Sequence, residues 1–423
     1  MMLRMGDNKK TIITYLCLFF YRLLSDYTYK NIISDIYDYQ NYNVNSDLFS
    51  IYLSWIFFLL LAPLIVKNIL KSTFSSNIIS LLAIFSIVPT STLIAYNKNY
   101  EIIYIIFIFL YWLILLSLNL FIKKIIIKDF FILDRINKLI IFLLVSSVIL
   151  TSFIFTGFRF HFGLLDVYDL RVEAREFKLN FILGYLVSAA DYILPIILVD
   201  RMLRRKIFSS LFLVICIFLN FGIAGSKHII FLLFLSILGY FFIKSNRFSF
   251  NYLFFLILIL ILALIEFGNL GTHFLTLFLS YRIMFIPASL HYIYYDFFSK
   301  NEFDFFRQSY FKWFMDSPYK ENIGFLISEY GSGQTGGRAN NGLFSDAYFN
   351  LGIVGILIMP FILIIIFKLI EGAVENLNPK LVFSITISLF MSVLSLPLST
   401  VLFSSGFFIL LIYLYSVPRV INY

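Results

Sequence analysis

Long apolar runs separated by short charged breaks dominate this chain of 423 residues. A lipid core about 30 Å thick requires roughly 20 apolar residues for each helical crossing, because backbone amides without water must hydrogen bond within the helix. The pattern therefore predicts twelve transmembrane helices. They lie near residues 11–24, 48–66, 77–95, 101–122, 138–157, 180–199, 207–224, 228–243, 250–267, 344–366, 380–396 and 399–416.

The continuity of these runs argues against a membrane β-barrel, which would show short segments of alternating polarity. Composition agrees, since 61% of the residues are hydrophobic and 13% are charged, whereas soluble proteins are about half apolar and a quarter charged. We predict an all-α polytopic helix bundle. Residues 1–423 would form a single integral membrane domain with no room for a separate soluble domain.

Lysine and arginine are concentrated in alternate loops between the apolar runs, and the net charge is +9. Short basic loops mark the cytoplasmic side of a membrane protein. We interpret the basic residues as topology determinants that need no nucleic-acid partner. Membrane lipids are the expected partners of the chain. The loops at 158–179 and 298–343 are then predicted to lie on the outer side of the membrane.

Residues 270–297 are apolar enough to cross the membrane, but they contain Arg282, two histidines and a proline. A thirteenth crossing would move the 298–343 loop into the cytoplasm, and an arginine that faces lipid is costly. We therefore interpret residues 270–343 as a region of the outer side with a membrane-embedded or re-entrant segment.

The 158–179 loop concentrates charged side chains, among them Arg171 and Arg175. Residues four apart lie on one face of a helix, and two planar guanidinium groups could bind a diphosphate through paired hydrogen bonds. The alternative is a solvated amphipathic helix whose arginine and glutamate side chains pair with one another.

Two further cations are candidates for an anion site. Lys227 lies in the polar turn GSKH at residues 225–228, between two apolar helices. The ordinary explanation for a lysine at a helix end is that its ammonium group reaches the lipid headgroups. Arg282 lies well inside an apolar segment, where an ionisable group is a functional hypothesis by default.

The 298–343 loop ends in a segment rich in glycine, serine and asparagine. A flexible turn is the simple explanation for this composition. Amide and guanidinium groups also suit sugar hydroxyls, because they offer donors and acceptors at matching spacing. The sugar-binding candidates are Arg338, Asn340 and Asn341, together with Tyr168 of the earlier loop.

Cysteines and nucleotide-binding motifs give no further indication of chemistry. Cys17 and Cys216 fall within predicted helices, so neither a disulfide framework nor a paired-cysteine metal site is expected. The sequence contains no Walker, HExxH or GxSxG motif.

Four segments carry a resemblance to a known family: DVYDLR, GSKHIIF, YRIMFIPASLHYIYYDFFSKN and NNGLFSDAYFNLGIVG. Together they resemble bacterial oligosaccharide repeat unit polymerases, the Wzy O-antigen polymerase family. The similarity covers roughly residues 160–356, and the amino-terminal crossings match in hydropathy alone.

The resemblance implies a glycosyltransferase of the bacterial inner membrane, with a GT-C-like helical fold and an active site formed by periplasmic loops. Such an enzyme transfers a growing glycan from undecaprenyl diphosphate onto another lipid-linked repeat unit. It is expected to need no metal and no cofactor, and a chain-length co-polymerase is the implied protein partner. The first outer loop agrees, since it has four aspartates but no DxD pair.

The residues suggest how this reaction would proceed. Fixed cations would stabilise the departing diphosphate in place of a metal, and a carboxylate or imidazole would accept the proton of the acceptor hydroxyl. The candidate cations are Arg171, Arg175, Lys227 and Arg282. The candidate bases are Asp166, His161 and Asp346.

Two other functions remain as alternatives. An O-antigen ligase would share the fold and the donor and would differ in its acceptor, lipid A core. A lipid-linked oligosaccharide flippase would be a transporter of similar length. Against the flippase, the polar residues cluster in outer loops, and hydropathy shows no internal two-fold repeat.

Overall fold

The computed structural model describes residues 7–97, 100–126, 134–160, 167–246, 248–333 and 337–417. Every regular element within these ranges is helical, and an isolated bridge joins Asn45 and Asn97. The α-helices are α1 (Asp7–Thr28), α2 (Ser34–Tyr37), α3 (Leu48–Lys71), α4 (Phe74–Tyr96), α5 (Ile102–Phe121), α6 (Asp134–Thr151), α7 (Val167–Glu176), α8 (Phe181–Leu203), α9 (Ile207–Ala224), α10 (Lys227–Phe242), α11 (Phe248–Leu270), α12 (Ile286–Lys300), α13 (Ile323–Ser332), α14 (Phe344–Ala373), α15 (Pro379–Ser395), α16 (Leu398–Phe403) and α17 (Phe407–Ser416). Short π-helices occupy Tyr29–Ile33, Ser152–Thr156 and Thr276–Phe285, and a 3₁₀-helix occupies Asp38–Gln40.

The prediction of an all-helical membrane protein is confirmed for the described residues. Eight helices of the described ranges are long and apolar enough to cross a membrane: α3, α4, α5, α6 with its π-helical extension, α8, α9, α11 and α14. Three shorter apolar helices, α10, α15 and α17, coincide with further predicted crossings. Helix α1 coincides with the first predicted crossing, but it carries Arg22 and Asp26 within its apolar stretch.

The last predicted crossing differs from the structure, because residues 399–416 form two helices instead of one. The chain breaks at Gly406, whose φ of +74° is in the left-handed region. A Cβ added at Gly406 would lie 2.5 Å from the Cβ of Ala189. The close approach of α8 therefore requires glycine at this position, and hydropathy does not register it.

The chain divides into two compact units. Unit 1 comprises Met1–Lys123, Arg247–Lys368 and Leu394–Pro397, and unit 2 comprises Lys124–Asn246, Leu369–Val393 and Leu398–Tyr423. Each unit is assembled from segments that are distant in sequence.

Helix α4 forms the centre of unit 1, and its residues from Phe74 to Ala95 are all buried. It packs against α1, α3, α5, α11 and α12. Many of its side chains are small hydroxyls or amides, which allow helices to approach closely and hydrogen bond in lipid. Near one end of α4, Asn119 donates to Asn68 Oδ1 at 2.6 Å and to Ser76 Oγ at 3.0 Å.

An ion pair is buried in the same unit. Arg22 is 0% exposed and pairs with Asp26 one turn later in α1. Its guanidinium also donates to Thr92 Oγ1 at 2.6 Å and to Ser54 Oγ at 3.2 Å, and it lies 5.2 Å from the ring centre of Trp55. One arginine therefore connects α1 to both α3 and α4.

The segment from Thr276 to Lys300 is a ten-residue π-helix that continues directly into α12. Its beginning lies beside the end of α11, where Glu266 accepts hydrogen bonds from the backbone of Phe274 and Leu275 at 2.9 Å. Near its end, Tyr295 donates to Glu101 at the start of α5, at 2.8 Å. This segment therefore connects helix ends within unit 1, and its predicted re-entrant character stays a prediction.

In unit 2, α8 packs against α6, α9 and α10. Close contacts depend on residues without bulk, because Gly239 of α10 faces the ring of Phe383 of α15 with no room for a Cβ. Ser236 and Ser384 hydrogen bond across the same pair of helices at 2.8 Å. Unit 2 thus has its own packed interior.

The predicted topology is testable at Ser332, the exposed end of α13. We expect a cysteine at Ser332, in a C17S/C216S background, to react with an impermeant maleimide in intact spheroplasts, because the 298–343 loop is predicted to be periplasmic. A cysteine at Ser245, in a predicted cytoplasmic loop, serves as the matched control and should react after lysis. The opposite pattern would invert the topology.

Candidate functional site

The predicted basic loop of unit 2 contains a helix that packs on the GSKH turn. Residues Val167–Glu176 form α7, so Arg171 and Arg175 lie one turn apart on the same helix, as predicted. Arg171 Nε donates to the carbonyl of Gly225 at 3.3 Å. Gly225 has a φ of +60°, and an added Cβ would lie 3.0 Å from the carbonyl oxygen of Val167. The glycine thus permits α7 to lie on the turn that leads into Lys227, the first residue of α10.

A carboxylate and an imidazole meet next to this turn. His228 Nε2 lies 3.5 Å from Asp191 Oδ2 in α8, and the side chains are 29% and 17% exposed. Asn220 of α9 donates to Asp191 Oδ1 at 2.6 Å, and the His228 ring stacks on Tyr192 at 4.9 Å. A proton on Nε2 would face this carboxylate, and Nδ1 would then be the proton-accepting nitrogen.

An ion pair joins the beginning of the 158–179 loop to α7. Arg159 pairs with Glu173 at 2.8 Å and donates to the carbonyl of Gly222 at 3.3 Å. Gly222 again has no room for a Cβ, which would meet the carbonyl oxygen of Arg159. Glu173 of α7 is therefore ion-paired, but its partner precedes the helix, so pairing of arginine and glutamate within α7 stays a prediction.

Several of the predicted site residues lie outside the described part of the structure. These are His161 and Asp166, and the side chains of Tyr168 and Arg175. Arg282 is exposed and belongs to unit 1, whereas Arg171 and Lys227 belong to unit 2. Joint action of these cations on one diphosphate stays a prediction.

Unit 1 contains a cavity of about 590 Å³, within the range of about 300–1,000 Å³ that is usual for small-ligand sites. Its walls come from the segment after the 3₁₀-helix, the end of α4, α12 and α13. The described lining residues include Gln40, Asn41, Tyr42, Asn97, Tyr100, Ser289, Tyr292, Asp296, Ser328, Tyr330 and Ser332.

Asp296 is the one charged side chain among the described lining residues. It accepts hydrogen bonds from Tyr330 and from Lys300, both at 2.5 Å. The hydrogen bond from Tyr330 to Asp296 raises the pKa of Tyr330. Burial together with the charge of Asp296 raises the pKa of Tyr292 to about 12. Both tyrosines therefore stay protonated at neutral pH and keep their hydroxyl donors.

The predicted sugar-binding segment at residues 338–341 runs beside this cavity, which Ala339 lines. Arg338 is exposed and its guanidinium lies 5.2 Å from the ring centre of Phe325. The side chain of Asn340 lies against Gly324 of α13. The roles predicted for Arg338 and Asn340 stay predictions.

Asn341 is buried in a polar cluster around His291. Its amide donates to the carbonyl of Pro287 at 3.0 Å and to Ser345 Oγ at 2.9 Å, and it lies 3.2 Å from His291 Nδ1. His291 Nε2 lies 3.2 Å from Ser86 Oγ of α4. These contacts join α4, α12 and the start of α14, and the sugar-binding role predicted for Asn341 stays a prediction.

Asp346, the third candidate base, lies in the first turn of α14 and is 2% exposed. Its Oδ1 accepts a hydrogen bond from Asn350 at 2.9 Å. It is not among the described residues that line the cavity. Its predicted role as a base stays a prediction.

Burial lowers the pKa of His291 to about 3, which gives a prediction for stability. An unfolded histidine has a pKa near 6.5, so the unfolded chain binds more protons than the folded chain as the pH falls from about 6.5. We expect stability to fall by up to about 1.4 kcal/mol per pH unit through this range. Thermal unfolding in detergent at pH 7 and pH 5 measures this decrease. The loss of stability between pH 7 and pH 5 should be smaller in His291→Gln. An identical loss in both proteins would contradict its attribution to His291.

No family model, characterised protein or solved structure matches this chain.

Sequence reasoning assigned no role to Asp191, His228 or Asp296. His228 was visible as part of the GSKH turn, but its partner Asp191 lies on a different helix. Asp296 lies within the family-like segment YRIMFIPASLHYIYYDFFSKN. The signal that could have found both carboxylates is their position within apolar segments, Asp191 in the predicted crossing at 180–199 and Asp296 in the segment at 270–297. A carboxylate in an apolar segment requires a partner.

Proposed function

We propose that this chain is an inner-membrane polymerase of lipid-linked oligosaccharide repeat units. The proposal extends the family resemblance, and it includes a GT-C-like fold, twelve crossings and an active site on the periplasmic side. The observation that carries it is the arrangement in unit 2, where Arg171 packs on the turn before Lys227 and His228 faces Asp191. Cations beside a carboxylate–imidazole pair suit displacement of a diphosphate by a hydroxyl.

In the proposed reaction, a hydroxyl oxygen of the acceptor glycan attacks the anomeric carbon of the donor glycan. A new glycosidic C–O bond forms as the bond to the diphosphate oxygen breaks. His228 Nδ1 accepts the hydroxyl proton, and undecaprenyl diphosphate leaves with its negative charge. If the donor anomer is α, this single displacement inverts the configuration.

The cations would act on the leaving group. A guanidinium offers planar, paired donors to phosphate oxygens, whereas an ammonium offers a point charge. Lys227 directly precedes His228 in the chain, and Arg171 contacts the turn before it, so they are the first candidates. No metal is required in this scheme, and a chain-length co-polymerase is the proposed protein partner.

Deletion of the gene, followed by gel analysis of surface polysaccharide, tests the proposal against its two alternatives. Loss of a polymerase should leave lipid A core carrying one repeat unit. Loss of a ligase would leave bare core with polymer on undecaprenyl diphosphate, and loss of a flippase would leave repeat units in the cytoplasm. Either of the last two patterns would contradict the proposal.

Complementation of the deletion strain tests the cations. We expect Arg171→Ala, Arg175→Ala and Arg282→Ala each to reduce or abolish the polymer ladder at normal expression, leaving single repeats. The Arg→Lys variants should restore little, because lysine lacks the paired donors. Wild-type ladders from all three alanine variants would exclude a role in diphosphate binding.

A further inference from the structure

The cavity of unit 1 combines aromatic faces with groups that bind hydroxyls. Tyr100 and Tyr292 lie 4.4 Å apart between ring centres at an angle of 56°, and Tyr42 and Tyr330 add two further rings to the lining. A sugar ring has an apolar C–H face that packs on an aromatic ring and a rim of hydroxyls that requires donors and acceptors. This combination fits a glycan better than an apolar ligand.

One lining residue points to a missing ligand group. Asn97 is 9% exposed, and its Oδ1 accepts no hydrogen bond from the described residues. Its amide nitrogen is used, because it donates to the carbonyl of Asn41 at 3.0 Å. A buried carbonyl oxygen without a donor is costly, and a ligand hydroxyl in the cavity would supply one.

The charge of the lining restricts the kind of glycan. Asp296 is a carboxylate, and the described lining residues include no lysine or arginine. Lys300, which pairs with Asp296, is 59% exposed at its side chain and does not line the cavity. A carboxylated sugar would bring a second negative charge close to Asp296, and the described lining residues offer no cation to pair with it, which disfavours binding.

We propose that this cavity binds uncharged sugars of the acceptor glycan, with Asp296 and Asn97 as hydroxyl partners and Tyr292 as a stacking face, and that Asp296 selects against acidic sugars. The inference rests on the proposed function for the identity of the glycan. It adds to that function a binding site and a substrate charge that the family resemblance does not supply.

Binding to the purified full-length protein tests the inference. The probe is the oligosaccharide released by mild acid from the host's own lipid-linked repeat units. Its matched acidic counterpart is the same glycan with primary hydroxyls oxidised to carboxylates. We expect the neutral glycan to bind the wild-type protein, and the oxidised glycan to bind at least tenfold more weakly.

Variants locate the binding in the cavity. Asp296→Asn keeps a hydrogen-bond acceptor but removes the charge, so it should reduce the difference in affinity between the neutral and the oxidised glycan. Tyr292→Ala should weaken binding of the neutral glycan roughly tenfold or more. Asp316→Asn, the same chemical change at an exposed position that does not line the cavity, is the matched control and should change neither affinity.

Two results would overturn the inference. One is absence of neutral glycan binding to the folded wild-type protein, and the other is binding of the oxidised glycan at least as tight as that of the neutral glycan. Failure of the proposed function is separate, since it would be seen as a deletion strain with a normal polymer ladder. Thermal unfolding midpoints of all variants show whether a loss of binding reflects a loss of folding.

Discussion

Replacing His228 with alanine is expected to lower the polymerisation rate by about 10²–10⁴-fold, the usual contribution of a positioned general base. The expectation follows from the geometry, because the imidazole lies 3.5 Å from Asp191 and is 29% exposed. An imidazole oriented by a carboxylate, and accessible to a substrate, is the arrangement that proton abstraction requires. The rate is measured with purified protein and lipid-linked repeat units.

Matched variants separate a catalytic role from a structural one. His273→Ala changes an exposed histidine of unit 1 and should leave the rate unchanged. Asp191→Asn keeps a hydrogen-bonding side chain beside Asn220 and should lower the rate less than His228→Ala, because the imidazole loses its orientation but remains present. A His228→Ala protein that folds normally and polymerises at the wild-type rate would exclude His228 as the base.

Replacing Arg22 with methionine is expected to give the largest loss of stability, about 3–5 kcal/mol, because it leaves Asp26 as an unpaired buried charge. Arg22 is 0% exposed, and Asp26 is 6% exposed. The free energy of unfolding can be measured by titration with SDS in mixed micelles. The amount of intact protein in the membrane should decrease together with the free energy of unfolding.

The double variant R22M/D26L is the matched control. Removing both charges should recover most of the lost stability, since apolar side chains of similar size can replace a buried pair at little cost. The remaining hydroxyls keep partners of their own, because Ser54 donates to the carbonyl of Ile51 at 2.8 Å and Thr92 to that of Val88 at 3.2 Å. A double variant as unstable as R22M would show that the pair itself is not the cause.

The positions of the helices could be predicted because each long apolar run is a local signal. Eleven predicted segments coincide with single helical stretches and the last with two short helices, and the boundaries of α9 agree to the residue at Ile207–Ala224. The break at Gly406 was not predicted, since it depends on the approach of Ala189 from another helix. Hydropathy reports whether a residue prefers lipid, and it does not report which backbone must come close.

The same limit applies to the candidate sites. The helical spacing of Arg171 and Arg175 was predictable, because both residues lie within α7. The Asp191–His228 pair was not, because its members lie on α8 and α10 and meet only through packing. The cavity of unit 1 likewise combines residues from segments that are distant in sequence, of which the 338–341 segment alone had been assigned to sugar binding.

The most direct test of the proposed polymerase is the reaction itself. Purified protein in detergent is given lipid-linked repeat units, without lipid A core and with excess EDTA, and the products are separated by length. We predict glycans of two or more repeats on one lipid, with release of undecaprenyl diphosphate. Unjoined single repeats from folded protein would contradict the polymerase. Activity that disappears in EDTA and returns with magnesium or manganese would contradict metal independence and would make Asp166, Glu173 and Asp346 candidate ligands.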